Sequence, residues 1–153
     1  MKKLLLICLS IFCFGNIFAQ KNNSERISAL VESKNFRINI LNVYHEKTTP
    51  LPVYSTHYLE IKDDKVIADF PYFVRKDRPT EISANNIPLD SEIFKYKAKH
   101  NTKKGYWLIN FSAKNKKGAE YKLLIVVQPN GYCVIDVASP KKTKVRYDGQ
   151  IKL

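Results

Sequence analysis

Glycine is scarce in this sequence, with five residues in 153. So few exclude a flexible, low-complexity or collagen-like chain. Methionine and tryptophan occur once each, against nine Tyr and eight Phe, and that aromatic excess favours strands over helices. Catalytic signatures are missing as well. The chain has no Gly-x-Ser-x-Gly elbow, no phosphate-binding loop and no dinucleotide fingerprint. The expectation is a protein that is not an enzyme and carries no cofactor. His45, His57 and His100 lack the mutual spacing of metal ligands, and no Cys/His zinc set is present. Asp63-Asp64 has the form of a turn pair; a calcium loop needs ligands at alternating positions. No metal is expected.

Cysteine is nearly absent from the part that folds. Lys2 and Lys3 start a short apolar run, Leu4 to Phe14, that ends in Ile17-Phe18-Ala19 before Gln20. This is the pattern of a cleavable signal peptide over residues 1–19, too short to span a bilayer. Cys8 and Cys13 leave with it, and neither stands where a lipoprotein acceptor cysteine would. The expected product is an exported, soluble periplasmic or secreted protein, residues 20–153, forming one domain. Its one remaining thiol, Cys133, has no partner for an internal disulfide. It lies in the apolar run Tyr132-Cys133-Val134-Ile135 and reads as a buried, inert group.

What the chain does have is positive charge and period-two patterning. Lys and Arg number 26 against 14 Asp and Glu, a net +12; losing Lys2 and Lys3 leaves 24 against 14, or +10. Such a balance attracts anionic surfaces. From Glu92 to Ala138 the sequence reads as four strands joined by turns at Asn101–Gly105, Asn115–Gly118 and Pro129-Asn130-Gly131. Trp107, Ile109, Phe111 and Ala113 share one face of a strand; Tyr121, Leu123, Ile125 and Val127 share the matching face of the next. Further strands are expected at Asn35 to Tyr44, Thr56 to Lys62, Lys65 to Phe70 and Thr143 to Lys152, with Gly149 marking a bulge or a close backbone approach. Residues 45–53 and 71–88, with their prolines, read as loops. A short helix from an N-cap at Ser24 to about Ser33 places Ile27, Leu30 and Val31 on one side. Leu108, Leu124 and Val126, on the outward parity, are its candidate neighbours. The fold class is all-β: an antiparallel meander of about eight strands, closed into a small barrel or packed as two layers.

Several segments resemble a known family. Leu30-Val31-Glu32-Ser33-Lys34-Asn35-Phe36, Phe70-Pro71-Tyr72-Phe73-Val74-Arg75, Lys103 to Phe111, Asn130-Gly131 and Tyr147-Asp148-Gly149-Gln150-Ile151 occur in its order. The family is domain of unknown function 4251, small secreted or lipid-anchored bacterial proteins. The resemblance covers about Leu30 to Ile151 and implies a lipocalin-like antiparallel barrel; it implies no activity. Val74 stands where the family signature has glycine, and Asp77-Arg78-Pro79-Thr80-Glu81 replaces a glycine-rich stretch.

Two groups are candidate sites. Tyr72, Phe73, Arg75, Tyr96 and Trp107 could hold a small amphipathic ligand at a barrel mouth; the competing reading has Tyr72 and Phe73 closing the barrel end as core. Lys95, Lys97 and Lys99, alternating with Phe94, Tyr96 and Ala98, together with Lys103 and Lys104, could dock an anionic envelope component. The competing reading is a solvated face that blunts edge pairing. Nucleic acid is not an expected partner of an exported chain. The functional expectation is a non-catalytic binding or accessory module of the cell envelope, the alternative being an interaction module with a filled core and no ligand. An open polar cavity would favour the first, a filled core with an apolar surface patch the second.

Overall fold

The computed structural model describes residues 23–44, 50–53, 57–72, 85–140 and 144–153. The leader, His45, Phe73 and Arg75, and the side chain of Tyr72, lie outside them. Nine strands follow in order: β1 (Asn35–Tyr44), β2 (Leu51–Pro52), β3 (Tyr58–Lys62), β4 (Lys65–Tyr72), β5 (Asn85–Asn101), β6 (Tyr106–Lys114), β7 (Glu120–Val127), β8 (Tyr132–Ala138) and β9 (Lys144–Ile151). Every neighbour is antiparallel. β9 pairs back onto β1, so β1 and β3 to β9 form a closed eight-strand barrel, and β2 adds a short pairing to β1. Closure removes sheet edges that would otherwise template aggregation.

The alternation seen in the sequence sets inside and outside. Ile109, Phe111, Ala113, Leu123, Ile125 and Val127 all point inward and are buried, and they meet Ile38, Leu59, Phe70, Ile135 and Tyr147 in one continuous core. Phe70 and Tyr147 pack with ring centroids 4.8 Å apart and planes tilted by 31°, and the Tyr147 hydroxyl donates to the Pro71 carbonyl at 3.0 Å. All three turns of the central meander occur where expected, with Gly105, Gly118 and Gly131 at positive φ.

Helix α1 covers residues 23–32. It does not lie along the outer wall beside Leu108, Leu124 and Val126. Ile27 and Val31, one turn apart, are buried in the barrel core, and Trp107 Nε1 donates to Ser28 Oγ at 3.2 Å. The helix thus closes one barrel mouth. Inner side chains at strand ends, Trp107 among them, have no opposite wall and need a cover; the outer leucines tolerate water singly. Ser24 is not the cap, because Asn23 is already helical. At its other end Lys34 takes a left-handed φ of 50° and turns the chain into β1.

Both loop expectations give way in part to strands. Leu51 and Pro52 pair with β1, and Pro71 and Pro88 sit in β4 and β5. Proline has no N–H to donate to a ladder, so it is tolerated where one side of the strand is unpaired. Pro88 lies where β5 pairs with β4 alone, and Pro71 where β4 pairs with β5 alone.

Candidate functional site

Two bulges decide which side chains reach the outer wall. In β5 the register shifts between Phe94 and Lys97, with Lys95 at φ 58°. An extra residue reverses the parity of the residues after it. The expected split of β5 into one basic and one apolar side therefore holds from Tyr96 to Lys99 and breaks at Phe94, ahead of the bulge. Phe94, paired with Ser112, lies outward, with Lys114 Nζ 5.8 Å from its ring centre. Tyr96 points inward, its ring 6.3 Å from that of Phe111. Lys97 and Lys99, opposite Asn110 and Leu108, share the outer wall. All five candidate lysines, 95, 97, 99, 103 and 104, are exposed.

β5 is also longer than its neighbours. Residues 85–92 pair with β4 and residues 93–101 with β6, so the second half runs past the tip of the β3–β4 hairpin. In the notch between them lies an open groove of about 630 Å³, lined by Lys62, Asp63, Asp64, Lys65, Glu92, Ile93 and Tyr96. Lys34 spans its rim: Nζ bonds Asp64 at 2.8 Å and stands 4.9 Å from the Tyr96 ring centre. The Tyr96 hydroxyl is buried there without a partner, and burial raises its pKa.

Among the described residues, Tyr72 does not come together with Tyr96 and Trp107. Tyr72 ends β4 at the barrel end opposite the β3–β4 turn, away from Tyr96 and Trp107. Trp107 is 8% exposed, bonded to Ser28 and stacked on the exposed His100 at 4.7 Å, so it is part of the mouth closure. Among the described residues the interior is packed. Ile38, Leu59, Phe70, Ile109, Ile125 and Tyr147 are all 0% exposed, which leaves no water-sized hole touching them.

A second cluster escaped the sequence reading. In β1 the register shifts between Ile40 and Asn42, turning Asn42 and Tyr44 onto the outer wall. There they meet Asp148, 3% exposed. Asn42 Nδ2 donates to Oδ1 at 2.8 Å; the hydroxyls of Tyr44 and Tyr132 donate to Oδ2 at 2.6 and 2.9 Å. The Tyr44 pKa rises, first through its bond to Asp148 and then through burial. That of Tyr132 rises through burial and then through its own bond to Asp148. The carboxylate ties β1, β8 and β9 together across the seam that closes the barrel. Alongside it Arg146 grips Asp136 with two bonds of 2.7 and 2.9 Å. The Asp148 cluster has the chemistry of a fastener: every oxygen is occupied by donors from the protein itself. A signal was present in Tyr147-Asp148-Gly149, but the β1 bulge that brings the donors was not.

The register aligns an outer row around the wall: Lys99, Leu108, Val126, Val134, Asp148 and Asn42. Leu108, Val126 and Val134, with Leu124 beside them, make a half-buried apolar strip next to the basic end of β5. Cys133 is fully buried; its thiol donates to the Gly131 carbonyl at 3.3 Å, and burial pushes its pKa up to about 12. His57 Nδ1 lies 3.1 Å from the Asp69 carbonyl oxygen and 3.2 Å from its carboxylate. Among the described residues no three His, Cys, Asp or Glu side chains converge as metal ligands would, and no helix is long and apolar enough to cross a membrane.

A family model described as "Domain of unknown function (DUF4251)" matches residues 19–151. The fold is similar to the crystal structure of a DUF4251 family protein from Bacteroides eggerthii DSM 20697. That pair has a TM-score of 0.69 and 12% identity, over 84% of this chain and 86% of the other. At that identity the likeness concerns the fold alone. No curated protein matches.

Proposed function

We propose, for a chain that belongs to the DUF4251 family, a non-catalytic role outside the cytoplasm. The protein is an exported accessory module of the bacterial cell envelope that binds a protein partner through its outer surface, not a carrier that encloses a ligand. The filled interior carries this reading. Tyr147 and Phe70 occupy the space a lipocalin-like barrel would offer a guest, and α1 closes one mouth. The apolar strip of Leu108, Val126 and Val134 supplies the surface counterpart, since apolar rows rimmed by charge mark contact sites. The charged N-terminus of the leader and the small residue Ala19 before Gln20 support export.

Native mass spectrometry of the protein recovered from fractionated cells tests both halves. The expected species is the chain from Gln20 onward, without a small molecule, in the extracytoplasmic fraction. A full-length chain confined to the cytosol would remove the export half. A stoichiometric non-covalent adduct would remove the filled-barrel half.

A further inference from the structure

Beyond the level of Lys65, the first residue of β4, β5 exchanges its β4 partner for β6 and leaves its β4 side open. Glu92 pairs with Lys65, and from Ile93 to Asn101 the ladder partners belong to β6 alone. The side once held by β4 keeps a single bond, Ile93 N–H to the Asp64 carbonyl at 2.7 Å. Lys97, Ala98, Lys99 and His100 are all exposed. Five residues, 97–101, therefore present a strand edge about 17 Å long. In an antiparallel pair alternate residues aim their N–H and C=O groups away from the existing partner, so this edge has unused donors and acceptors. The first half of β5, residues 85–92, is likewise paired on one side only, with β4, but it contains Pro88, which has no N–H to offer, whereas 97–101 contains no proline.

We propose that this edge binds an acidic, extended peptide segment of a partner protein by strand addition, continuing the line of β4. The inference rests on the surface-acting reading above and names the partner chemistry. Side-chain placement supplies the specificity. On the outer wall Lys97 and Lys99 stand at alternate positions, matching carboxylates two residues apart on the incoming strand. Lys103 and Lys104 lie in the adjoining turn and add to the same field. On the inner side Ala98 is small and exposed between Tyr96 and His100, which leaves room for one large apolar side chain. The segment thus has acid, apolar, acid in sequence. A second copy of this chain is the wrong occupant, because antiparallel pairing of two such edges sets lysine against lysine. The notch lined in part by Tyr96 lies where the added strand would meet the β3–β4 tip.

The test is calorimetric titration of the mature chain with a capped peptide, Asp-Val-Asp-Phe-Asp-Val-Asp, and two analogues N-methylated at either the odd or the even backbone nitrogens. Strand addition uses one set of N–H groups and leaves the other in solvent. The parent peptide should bind saturably. One analogue should weaken about tenfold or more, and the other should change little. Amide exchange at 97–101 should slow on binding, and the K97E/K99E variant should lose about tenfold. Equal binding by both analogues, or equal binding of heparin to the parent protein with no amide protection, would show unspecific anion attraction and overturn the proposal. So would no saturable binding below about 1 mM. Failure here leaves the native mass result untouched, so the two readings fall separately.

Discussion

Asp148 places a charge on the outer wall at 3% exposure. A carboxylate removed from water is costly unless donors replace its hydration. Here an amide and two phenols do so, from strands that meet only if the barrel closes. Asp148→Ala leaves three polar groups without an acceptor and should lower stability by about 3 kcal/mol in urea unfolding. Tyr44→Phe and Tyr132→Phe should each cost about 1.5 kcal/mol. A loss below about 0.5 kcal/mol for Asp148→Ala would mean the cluster fastens nothing. The phenols also set a pH limit. Both pKa values are raised above the ordinary 10.0 in the folded protein. The stability they confer is therefore complete below that value and falls as pH rises through it, because the unfolded chain ionises first. Alkaline unfolding should be less steep in Tyr132→Phe than in the parent. Cys133 makes a third case. With its pKa pushed up to about 12, and no exposed surface, it should resist a thiol reagent at neutral pH until denaturant opens the fold. Rapid labelling of the native protein would contradict the burial. The burial of Cys133 was readable from its apolar strand. The Asp148 cluster was not, because one extra residue at Leu41 reverses the parity of Asn42 and Tyr44, and a bulge leaves no mark in local alternation.

Elements are shaped by the same two bulges. Opposite the β1 bulge stands Gly149, paired with Ile40. A Cβ at Gly149 would lie 2.4 Å from the Asn39 carbonyl oxygen and 2.8 Å from Ile38 Cγ2, so backbone would have to move. Gly118 meets nothing within 4 Å and needs only its left-handed φ of 78°. Gly149→Ala should then cost about 3 kcal/mol or more, and Gly118→Ala about 1 kcal/mol. Similar losses at both would place the tight approach elsewhere than the β1–β9 seam. The expectation of a bulge or close approach at Gly149 is met. The strands of the central meander were legible because period-two runs and glycine turns are local signals. Strand residues around Pro71 and Pro88 were hidden, since a proline's fitness depends on which side of the ladder is empty, and that is set by distant partners. The helix was seen but misplaced: its apolar side fits a barrel mouth as well as a wall, and spacing cannot tell them apart.

The whole molecule is one ribbon closed upon itself, with its neighbours in sequence order and a seam where the ends meet. Closure of eight strands leaves an interior that side chains can fill, and this one is filled by branched aliphatics with Phe70 and Tyr147. The proposed function accordingly uses the outside, through the apolar strip and the overhang of β5. Fold class was legible because composition and alternation agree. The filled state of the barrel was not, since inward aromatics serve equally as lining or as plug. The most direct measurement is a crystal of the mature protein under xenon pressure. Apolar cavities take up xenon while packed interiors exclude it. The account predicts no xenon within van der Waals reach of Phe70, Ile109, Ile125 or Tyr147. A well-occupied xenon site, or lipid density, among those side chains would contradict it.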